Sequence, residues 1–216
     1  MCGRFALEAS AEAIAAYYKT AAPEIYAVRY NIAPTTPVLA KTEQGLTFFS
    51  WGLVPSWAKD VSIGNRMFNA RSETVAEKPS FRTAFKRRRC LVPATGFYEW
   101  KPEASGKQPY FCHLDHRLFS FAGIWEHWQD NMGNEMQSCA ILTTESSGSM
   151  RDVHDRMPVV IRDELHAVWM DHHDENTRRA QACIDECDRD FSVYRVGKKV
   201  NAARYDSADL VQPLHA

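Results

Sequence analysis

Short segments rich in aromatic and β-branched residues recur through the middle of the chain, and polar residues or glycine separate them. The clearest of these segments lie at residues 90–93, 96–101, 110–114, 118–125 and 137–144. Segments of this length and composition are typical of β-strands, and the breaks between them are typical of turns. Helical periodicity is confined to short stretches near residues 7–19, 81–86, 164–172 and 177–187. The sequence therefore predicts a β-rich protein.

Smaller signals extend this pattern toward both ends of the chain. A hairpin is predicted between residues 38–39 and 46–51, with its turn at residues 43–45, because a glycine completes a polar turn there. Ser10 lies near the start of the first helical stretch and is able to cap it. Two further strands are expected at residues 159–161 and 191–196.

Length and composition limit the remaining possibilities. A chain of 216 residues that is 45% hydrophobic fits one domain, and we expect residues 1–216 to form it. Six cysteines without a paired framework or a secretory leader indicate thiols in a reducing compartment. We therefore expect a cytoplasmic protein, associated with the nucleoid if the source is bacterial. No apolar run approaches the ~18–20 residues of a membrane span, so no membrane partner is expected.

The formal net charge of −1 gives no overall electrostatic signal for nucleic acid. Any such binding must come from a local patch. The strongest candidate is the run at residues 86–89, with Arg82 just before it, and residues 198–199 form a second. A solvated basic face is the alternative interpretation of such a run.

Cys2 is the first candidate for chemistry. Removal of Met1 leaves a residue that carries an α-amine and a thiol on adjacent carbons. The amine of such a 1,2-aminothiol adds to an aldehyde as a Schiff base, and the thiol then closes onto the same carbon as a thiazolidine. Gly3 permits a tight turn and Arg4 places a permanent cation beside the reactive group. The alternative is a small apolar residue near a chain end.

Glu99 lies among aromatic residues in the predicted strand at residues 96–101. Strand alternation puts Phe97 and Glu99 on one face. The carboxylate is therefore either an exposed residue on an edge strand or a partly desolvated acid with a raised pKa. The second state suits proton transfer near neutral pH.

His154 is the strongest titratable candidate among the eight histidines, because it lies in a compact polar turn beside Asp155 and Arg156. A surface histidine in a turn is the alternative. Metal-ligand spacing is poor in this chain. Its local pairs are Cys183 with Cys187, His113 with His116, and His172 with His173, and none forms a CxxC or HExxH motif. We expect no metal and no other cofactor.

Seven ordered blocks of the sequence together resemble the SRAP family, whose name stands for SOS response-associated peptidase. They are MCGRF at residues 1–5, YNIAP at 30–34, WGLVPSW at 51–57, NARSET at 69–74, CLVP at 90–93, GFYEW at 96–100 and HDRMP at 154–158. DLVQP at residues 209–213 also resembles the end of family members. The resemblance implies an α+β fold with an antiparallel, barrel-like β core and peripheral helices.

The resemblance also implies a function. Family members bind single-stranded DNA that holds an abasic site and trap the ring-opened sugar aldehyde on the N-terminal cysteine as a thiazolidine crosslink. The crosslink shields the lesion from strand cleavage. Self-removal of Met1 by a peptidase activity and an abasic-site lyase or crosslinking activity are implied with it. We expect a monomer whose partner is single-stranded DNA containing abasic sites.

By position in the matching blocks, four residues are implied to be catalytic. Cys2 is the nucleophile and crosslinking residue, and Asn69 holds its amine or thiol near the sugar. Glu99 shuttles protons during ring opening and Schiff-base formation. His154 assists proton transfer and crosslink reversal, and it would also serve Met1 removal together with Glu99.

Six further residues are implied to contact DNA: Arg4, Pro34, Trp57, Arg71, Thr143 and Arg156. The three arginines resemble phosphate ligands, which supply affinity without reading sequence. Trp57 resembles a wedge that stacks on a base next to the lesion, while Pro34 and Thr143 resemble parts of the groove and the pocket floor. Family members often carry a second tryptophan where this chain has Ala58, and this departure bears on the strength of stacking.

Two other classes of function are compatible with the start of the chain. An N-terminal-nucleophile cysteine hydrolase, peptidase or glutamine amidotransferase also begins Met-Cys-Gly, but it needs an oxyanion hole and no DNA groove. A non-catalytic binding module would keep all its activity after Cys2→Ser. Trp57 in its proline-bounded loop and the arginines favour DNA.

Overall fold

A closed barrel forms the core of the protein. The structure is a computed structural model and describes residues 2–104, 106–173 and 177–214. Its strands, in chain order, are β1 (Phe5–Leu7), β2 (Arg29–Ile32), β3 (Pro37–Thr42), β4 (Gly45–Trp51), β5 (Asn69–Arg71), β6 (Arg89–Ala94), β7 (Gly96–Glu103), β8 (Gly106–His113), β9 (Phe119–Gln129), β10 (Glu135–Glu145), β11 (Arg156–Pro158), β12 (Val160–Ile161) and β13 (Ser192–Arg195). The helices are α1 (Ala11–Tyr18), α2 (Arg82–Arg87), α3 (His166–Met170) and α4 (Arg178–Asp185).

The barrel closes because β10 pairs at both ends of one series of strands. Within the described residues the order is β10-β4-β3-β6-β9, and β9 returns to β10. The pairing of β10 with β4 is parallel, whereas the others in the ring are antiparallel. The expected α+β class and barrel-like core are confirmed, and the barrel is mixed rather than wholly antiparallel.

A second sheet packs on the barrel. Its strand order is β13-β8-β7-β1-β2. The chain passes from β6 in the barrel to β7 in this sheet through Thr95, so the break predicted between residues 93 and 96 is where the chain changes sheets. Aromatic rings fill the space between the sheets. The ring of Phe5 packs edge-on against those of Trp51 and Phe121, with ring centroids 5.1 and 5.6 Å apart. Such contacts stabilise a core beyond simple burial.

Two short strands extend the barrel where the catalytic candidates lie. β5 pairs in parallel with β10, so that Asn69 lies opposite Ile141 and Arg71 opposite Thr143. β11 pairs with the same end of β10 in antiparallel fashion, with Thr143 opposite Pro158. The end of β10 therefore holds two segments that the sequence separates by more than eighty residues.

Most of the predicted elements are present at shifted bounds. The hairpin of β3 and β4 turns where expected, and Gly45 adopts a positive φ of 124° that favours glycine. The first helix starts later than predicted, because Leu7 belongs to β1. Ser10 caps it as expected and accepts a hydrogen bond from the backbone N–H of Ala13 at 3.2 Å. None of the described helices combines the length and apolar character that crossing a bilayer requires.

Candidate active site

Cys2 lies in the main core, just before β1, and its side chain is completely buried. Its carbonyl oxygen accepts a hydrogen bond from the side-chain amide of Asn69 at 2.7 Å. The thiol donates weakly to the carbonyl oxygen of Arg4 at 3.9 Å. Burial, and after it the negative charge of Glu99, raise the pKa of the Cys2 thiol far above its ordinary value. The thiol therefore needs a base before it can act as a nucleophile.

Asn69 is held by the pairing of β5 with β10. Its amide nitrogen is occupied by the carbonyl of Cys2, whereas its side-chain oxygen Oδ1 is buried and has no hydrogen-bond partner among the described residues. Buried polar atoms rarely lack a partner, and an exception calls for an explanation. Oδ1 of Asn69 is thus an unused buried acceptor among the described residues, on the same amide that holds the carbonyl of Cys2.

Glu99 lies on β7, which has β1 on one side and β8 on the other. It is therefore not on an edge strand, and its exposed fraction is 2%. Burial is the largest influence and raises the pKa of the carboxyl from 4.5 to about 7. The interpretation as a desolvated acid is confirmed. The charge of Glu99 also raises the pKa values of Cys2 and Cys112, after burial itself, so these three groups are close in space.

His154 is half-buried in the turn between β10 and β11. Two groups approach its Nδ1: the backbone N–H of Arg156 at 2.9 Å and Oδ1 of Asp155 at 2.7 Å. One nitrogen cannot accept from the first and donate to the second, so the contacts describe two protonation states. Burial lowers the pKa of His154 and favours the neutral ring at neutral pH. In that ring Nδ1 accepts from Arg156 and Nε2 carries the proton.

Arg156 is a buried cation rather than a surface one. Its Nη1 and Nη2 donate to the two carboxylate oxygens of Glu73 at 2.7 and 2.9 Å, and Nη2 also donates to the carbonyl of Thr143 at 2.7 Å. The side chain of Arg156 is 11% exposed. Thr143 itself is completely buried, which suits a pocket floor. A phosphate that approaches Arg156 must therefore share it with Glu73.

Arg4 and Arg71 differ in how far their guanidinium groups are engaged. Nη1 of Arg4 donates to Oδ1 of Asn31 at 2.8 Å and to the carbonyl of Val200 at 2.6 Å. Arg71 is exposed at the end of β5, directly before the turn that carries Glu73. Of the three arginines implied to contact DNA, Arg71 is thus the most accessible to an incoming phosphate.

Trp57 is 59% exposed on the loop that follows β4. A hydrogen bond from the barrel restrains this loop: the indole N–H of the nearly buried Trp128 on β9 donates to the carbonyl of Ala58 at 2.7 Å. An open groove of about 500 Å³ runs beside Trp57, and Lys59 and Arg66 contribute to its lining. Pro34 is half-buried in the turn after β2. Trp57 thus presents a free ring on a restrained backbone.

The basic run at residues 86–89 is not one continuous patch. Arg89 is buried, and its guanidinium donates to the carbonyl oxygens of Phe85, Lys86, Trp169 and Asp171. Arg89 therefore belongs neither to a solvated face nor to a DNA-binding patch, and both interpretations of the run are wrong at this position. In the same run, Arg88 pairs with Glu126 at 2.7 Å.

Sequence reasoning missed Glu73, Cys112 and Trp128, which contact or surround the candidate residues. Glu73 lies inside a matching block, but only the fold shows that it faces Arg156. The six cysteines are all free and buried. Over the described ranges, no cluster of three or more histidine, cysteine, aspartate or glutamate residues has the arrangement of a metal site.

Comparison with known proteins places these features in a family. The family model described as "SOS response associated peptidase (SRAP)" matches residues 1–203. The abasic site processing protein YoqW of Bacillus subtilis is 38% identical over 98% of this chain and 99% of its own length. The abasic site processing protein HMCES of Gallus gallus is 31% identical over 80% of this chain and 59% of its own length.

Solved structures of other proteins share this fold. A protein from Bacteroides thetaiotaomicron superposes with a TM-score of 0.87 at 25% identity and covers 99% of this chain and 100% of its own. A phage-related protein from Bordetella bronchiseptica superposes with a TM-score of 0.72 at 33% identity and covers 90% of this chain and 94% of its own. The match along nearly the whole sequence and the shared fold lead to one conclusion: the chain belongs to the SRAP family.

Proposed function

We propose that this protein processes abasic sites by binding single-stranded DNA and forming a thiazolidine crosslink between Cys2 and the ring-opened sugar. The observation that carries the proposal is the 2.7 Å hydrogen bond from Asn69 to the carbonyl of Cys2, beside the buried carboxyl of Glu99. Relatives that match most of this chain are named abasic site processing proteins, which supports the same substrate.

The reaction begins when the removal of Met1 frees the amine of Cys2. This amine attacks the aldehyde carbon, and loss of water from the adduct gives a Schiff base. The thiol then adds to the carbon–nitrogen double bond, so that a carbon–sulfur bond forms and the nitrogen takes up a proton. The overall change joins the aldehyde and the aminothiol and releases one water.

Glu99 is proposed as the group that moves protons. With a pKa of about 7, its carboxyl exists in both forms near neutral pH. The acid form gives a proton to the departing hydroxyl, and the carboxylate accepts the proton of the Cys2 thiol. The thiol needs this help because burial raises its pKa.

Asn69 and His154 are proposed to orient and assist. The amide nitrogen of Asn69 holds the carbonyl of Cys2, and its unpartnered Oδ1 is available to the amine freed by Met1 removal. The neutral imidazole of His154 carries its proton on Nε2 and is proposed to assist proton transfer through that nitrogen when the crosslink forms and reverses. We propose that Glu99 and His154 also serve the hydrolysis that removes Met1.

DNA is proposed to enter the groove beside Trp57 and to run from there toward Cys2. Arg71 is exposed and contacts a phosphate directly, while Arg4 and Arg156 contribute charge from partly engaged guanidinium groups. Trp57 stacks on a base beside the lesion. Pro34 and Thr143 complete the groove and the floor of the pocket. We further propose that residues 1–216 form one domain that acts as a monomer in the cytoplasm.

A denaturing gel tests the proposal. Protein shown by mass spectrometry to begin at Cys2 is mixed with a single-stranded oligonucleotide that bears one abasic site. We expect a shifted band that is absent with Cys2→Ala and present with the control Cys183→Ala, which removes a thiol outside the site. No shifted band from protein with a free Cys2 amine and proven DNA binding would contradict thiazolidine chemistry and direct attention to amide hydrolysis.

A further inference from the structure

Glu73 and Arg156 form a two-point ion pair next to the proposed catalytic residues. Both carboxylate oxygens of Glu73 accept hydrogen bonds from Arg156, at 2.7 and 2.9 Å. Paired hydrogen bonds of this kind fix direction as well as distance, because the guanidinium and the carboxylate are both planar. Burial is the largest single influence and raises the pKa of the Glu73 carboxyl, but the hydrogen bonds and charge of Arg156, a backbone hydrogen bond and the charge of Arg71 together outweigh it, so the net pKa is lowered.

The carbonyl oxygen of Thr143 joins the same pair to β10. It accepts hydrogen bonds from Nη2 of Arg156 at 2.7 Å and from the backbone N–H of Ser72 at 2.9 Å. Ser72 directly precedes Glu73 and follows β5. The turn after β5 and the start of β11 are thus fastened to one residue of β10 and to each other.

The ion pair joins the two segments that carry Asn69 and His154, both proposed catalytic residues. On one side, β5 begins with Asn69, which holds the carbonyl of Cys2. On the other side, the backbone N–H of Arg156 donates to Nδ1 of His154 at 2.9 Å. Movement of Arg156 would therefore move the donor that fixes the ring of His154, while Asn69 stayed with β5.

We propose that Glu73 is a positioning residue, whose ion pair with Arg156 sets the place and the tautomer of His154 relative to Asn69 and Cys2. The proposal rests on the proposed function only for the part that His154 takes in the reaction. The geometry opposes a simple alternative in which Arg156 is reserved for DNA, because only 11% of its side chain is exposed and both terminal nitrogens are already bonded.

Two variants test the role, and a third serves as a matched control. Glu73→Gln keeps the shape of the side chain but removes its charge, whereas Glu73→Asp keeps the charge. Glu103→Gln makes the same change in an ion pair with Arg195 of similar length, 2.9 Å, outside the catalytic site. The thermal midpoint of each variant is measured first, and all comparisons are made well below the lowest midpoint.

The first readout needs no DNA. In protein with ¹⁵N-labelled histidine, the wild-type shifts of His154 are expected to show a proton on Nε2 and an unprotonated Nδ1 at neutral pH. Glu73→Gln is expected to shift these signals toward a mixture of tautomers. Glu73→Asp should stay closer to the wild type, and Glu103→Gln should not differ from it. Unchanged His154 signals in Glu73→Gln would overturn the proposal, whether or not the protein forms a crosslink.

The second readout is crosslinking in single-turnover experiments at saturating abasic-site oligonucleotide. A misplaced catalytic group costs up to about a hundredfold in rate, so we expect Glu73→Gln to slow formation and reversal about tenfold or more with little change in DNA affinity. Tighter DNA binding at unchanged rates would instead show that Glu73 competes with phosphate for Arg156, and the proposal would be rejected. A wild type that forms no crosslink would refute the proposed function alone, because the histidine signals test Glu73 independently.

Discussion

The side-chain amide of Asn69 and the backbone carbonyl of Cys2 are joined by a 2.7 Å hydrogen bond. This bond connects the first described residue to β5, whose register is fixed by its pairing with β10. The backbone of Cys2, the proposed reactive residue, is therefore attached to the barrel through Asn69. A chain end held in this way suits a reaction that needs the amine and the thiol to meet one carbon atom.

Asn69→Leu is expected to lower both the crosslinking rate and the free energy of unfolding. The substitution keeps the size of the side chain and removes the donor to Cys2, so we expect crosslinking to slow at least about tenfold. Stability should fall by about 1 to 3 kcal/mol, because one buried carbonyl loses its partner. Single-turnover rates and denaturant unfolding measure the two effects.

The control for this variant is Asn201→Leu. It removes the side-chain acceptor of a 2.7 Å hydrogen bond from Trp100, which lies outside the site. This change should leave the crosslinking rate at the wild-type level. Equal losses of rate in the two variants would show that Asn69 acts only through stability.

Glu99→Gln is expected to change the pH dependence of stability. The folded-state pKa of Glu99 is raised from 4.5 to about 7, so its favourable contribution is complete below about pH 4.5 and is lost as pH rises toward 7. Glutamine does not ionise. Relative to the wild type, the variant should therefore gain up to about 3 kcal/mol between these pH values.

Unfolding free energies at pH 4.5, 6 and 8 measure this difference, together with the crosslinking rate at each pH. The variant should be most stabilised, relative to the wild type, at pH 8, where it should also crosslink slowly. A stability difference that does not change with pH would mean that the Glu99 carboxyl has an ordinary pKa.

Much of the fold was readable from the sequence because the strand signal is local. Aromatic and β-branched residues predicted β7, β8, β9 and β10, and the placement of Glu99 beside Phe97 followed from simple alternation. The parallel pairing of β5 with β10 was not predictable in this way, because it joins Asn69 to Ile141 across a long separation. Three residues of β5 carry too little pattern to specify a partner.

The candidate site, like the fold, was predictable only in part from the sequence. Residue chemistry alone indicated Cys2, Glu99 and His154, and the resemblance to a family added Asn69 and the proposed roles of all four. Glu73 carries no signal beyond its motif, since a glutamate in a polar turn is ordinarily solvated. Its partner Arg156 lies 83 residues away, so only the folded chain shows the pair.

Trp57→Ala is expected to weaken binding to single-stranded DNA by about 1 to 3 kcal/mol, the usual contribution of a base stacked on an aromatic ring. Because the ring of Trp57 is mostly exposed, the thermal midpoint should change little. Fluorescence anisotropy with an oligonucleotide lacking the abasic site measures affinity without crosslinking. Phe48→Ala, which removes another exposed aromatic ring, should bind normally. Equal losses in the two variants would indicate nonspecific apolar contact.

Arg71→Ala is expected to lower affinity to a similar degree for all DNA sequences, because a phosphate contact reads no base. For single strands, each phosphate contact contributes about 0.7 to the slope of log affinity against log salt concentration, and the slope should fall by about this amount. Titrations at four salt concentrations determine it. Arg195→Ala serves as the control on the second sheet. An unchanged slope would exclude Arg71 from the phosphate contacts.

Arg89→Met is expected to destabilise the fold without a direct effect on DNA binding. Arg89 is buried, and its guanidinium donates to four backbone carbonyls that join α2 to α3. Methionine fills much of the same space but leaves these acceptors without a donor. Each unsatisfied buried acceptor costs about 1 to 3 kcal/mol, and partial relaxation of the surroundings leads us to expect a total near 3 to 5 kcal/mol.

Arg87→Met, at an exposed position of the same basic run, should change stability by less than about 0.5 kcal/mol. Urea unfolding compares the two variants, and DNA affinity is measured below both midpoints. If Arg89→Met were as stable as Arg87→Met but bound DNA more weakly, Arg89 would be a nucleic-acid contact and its buried hydrogen bonds would have little structural importance.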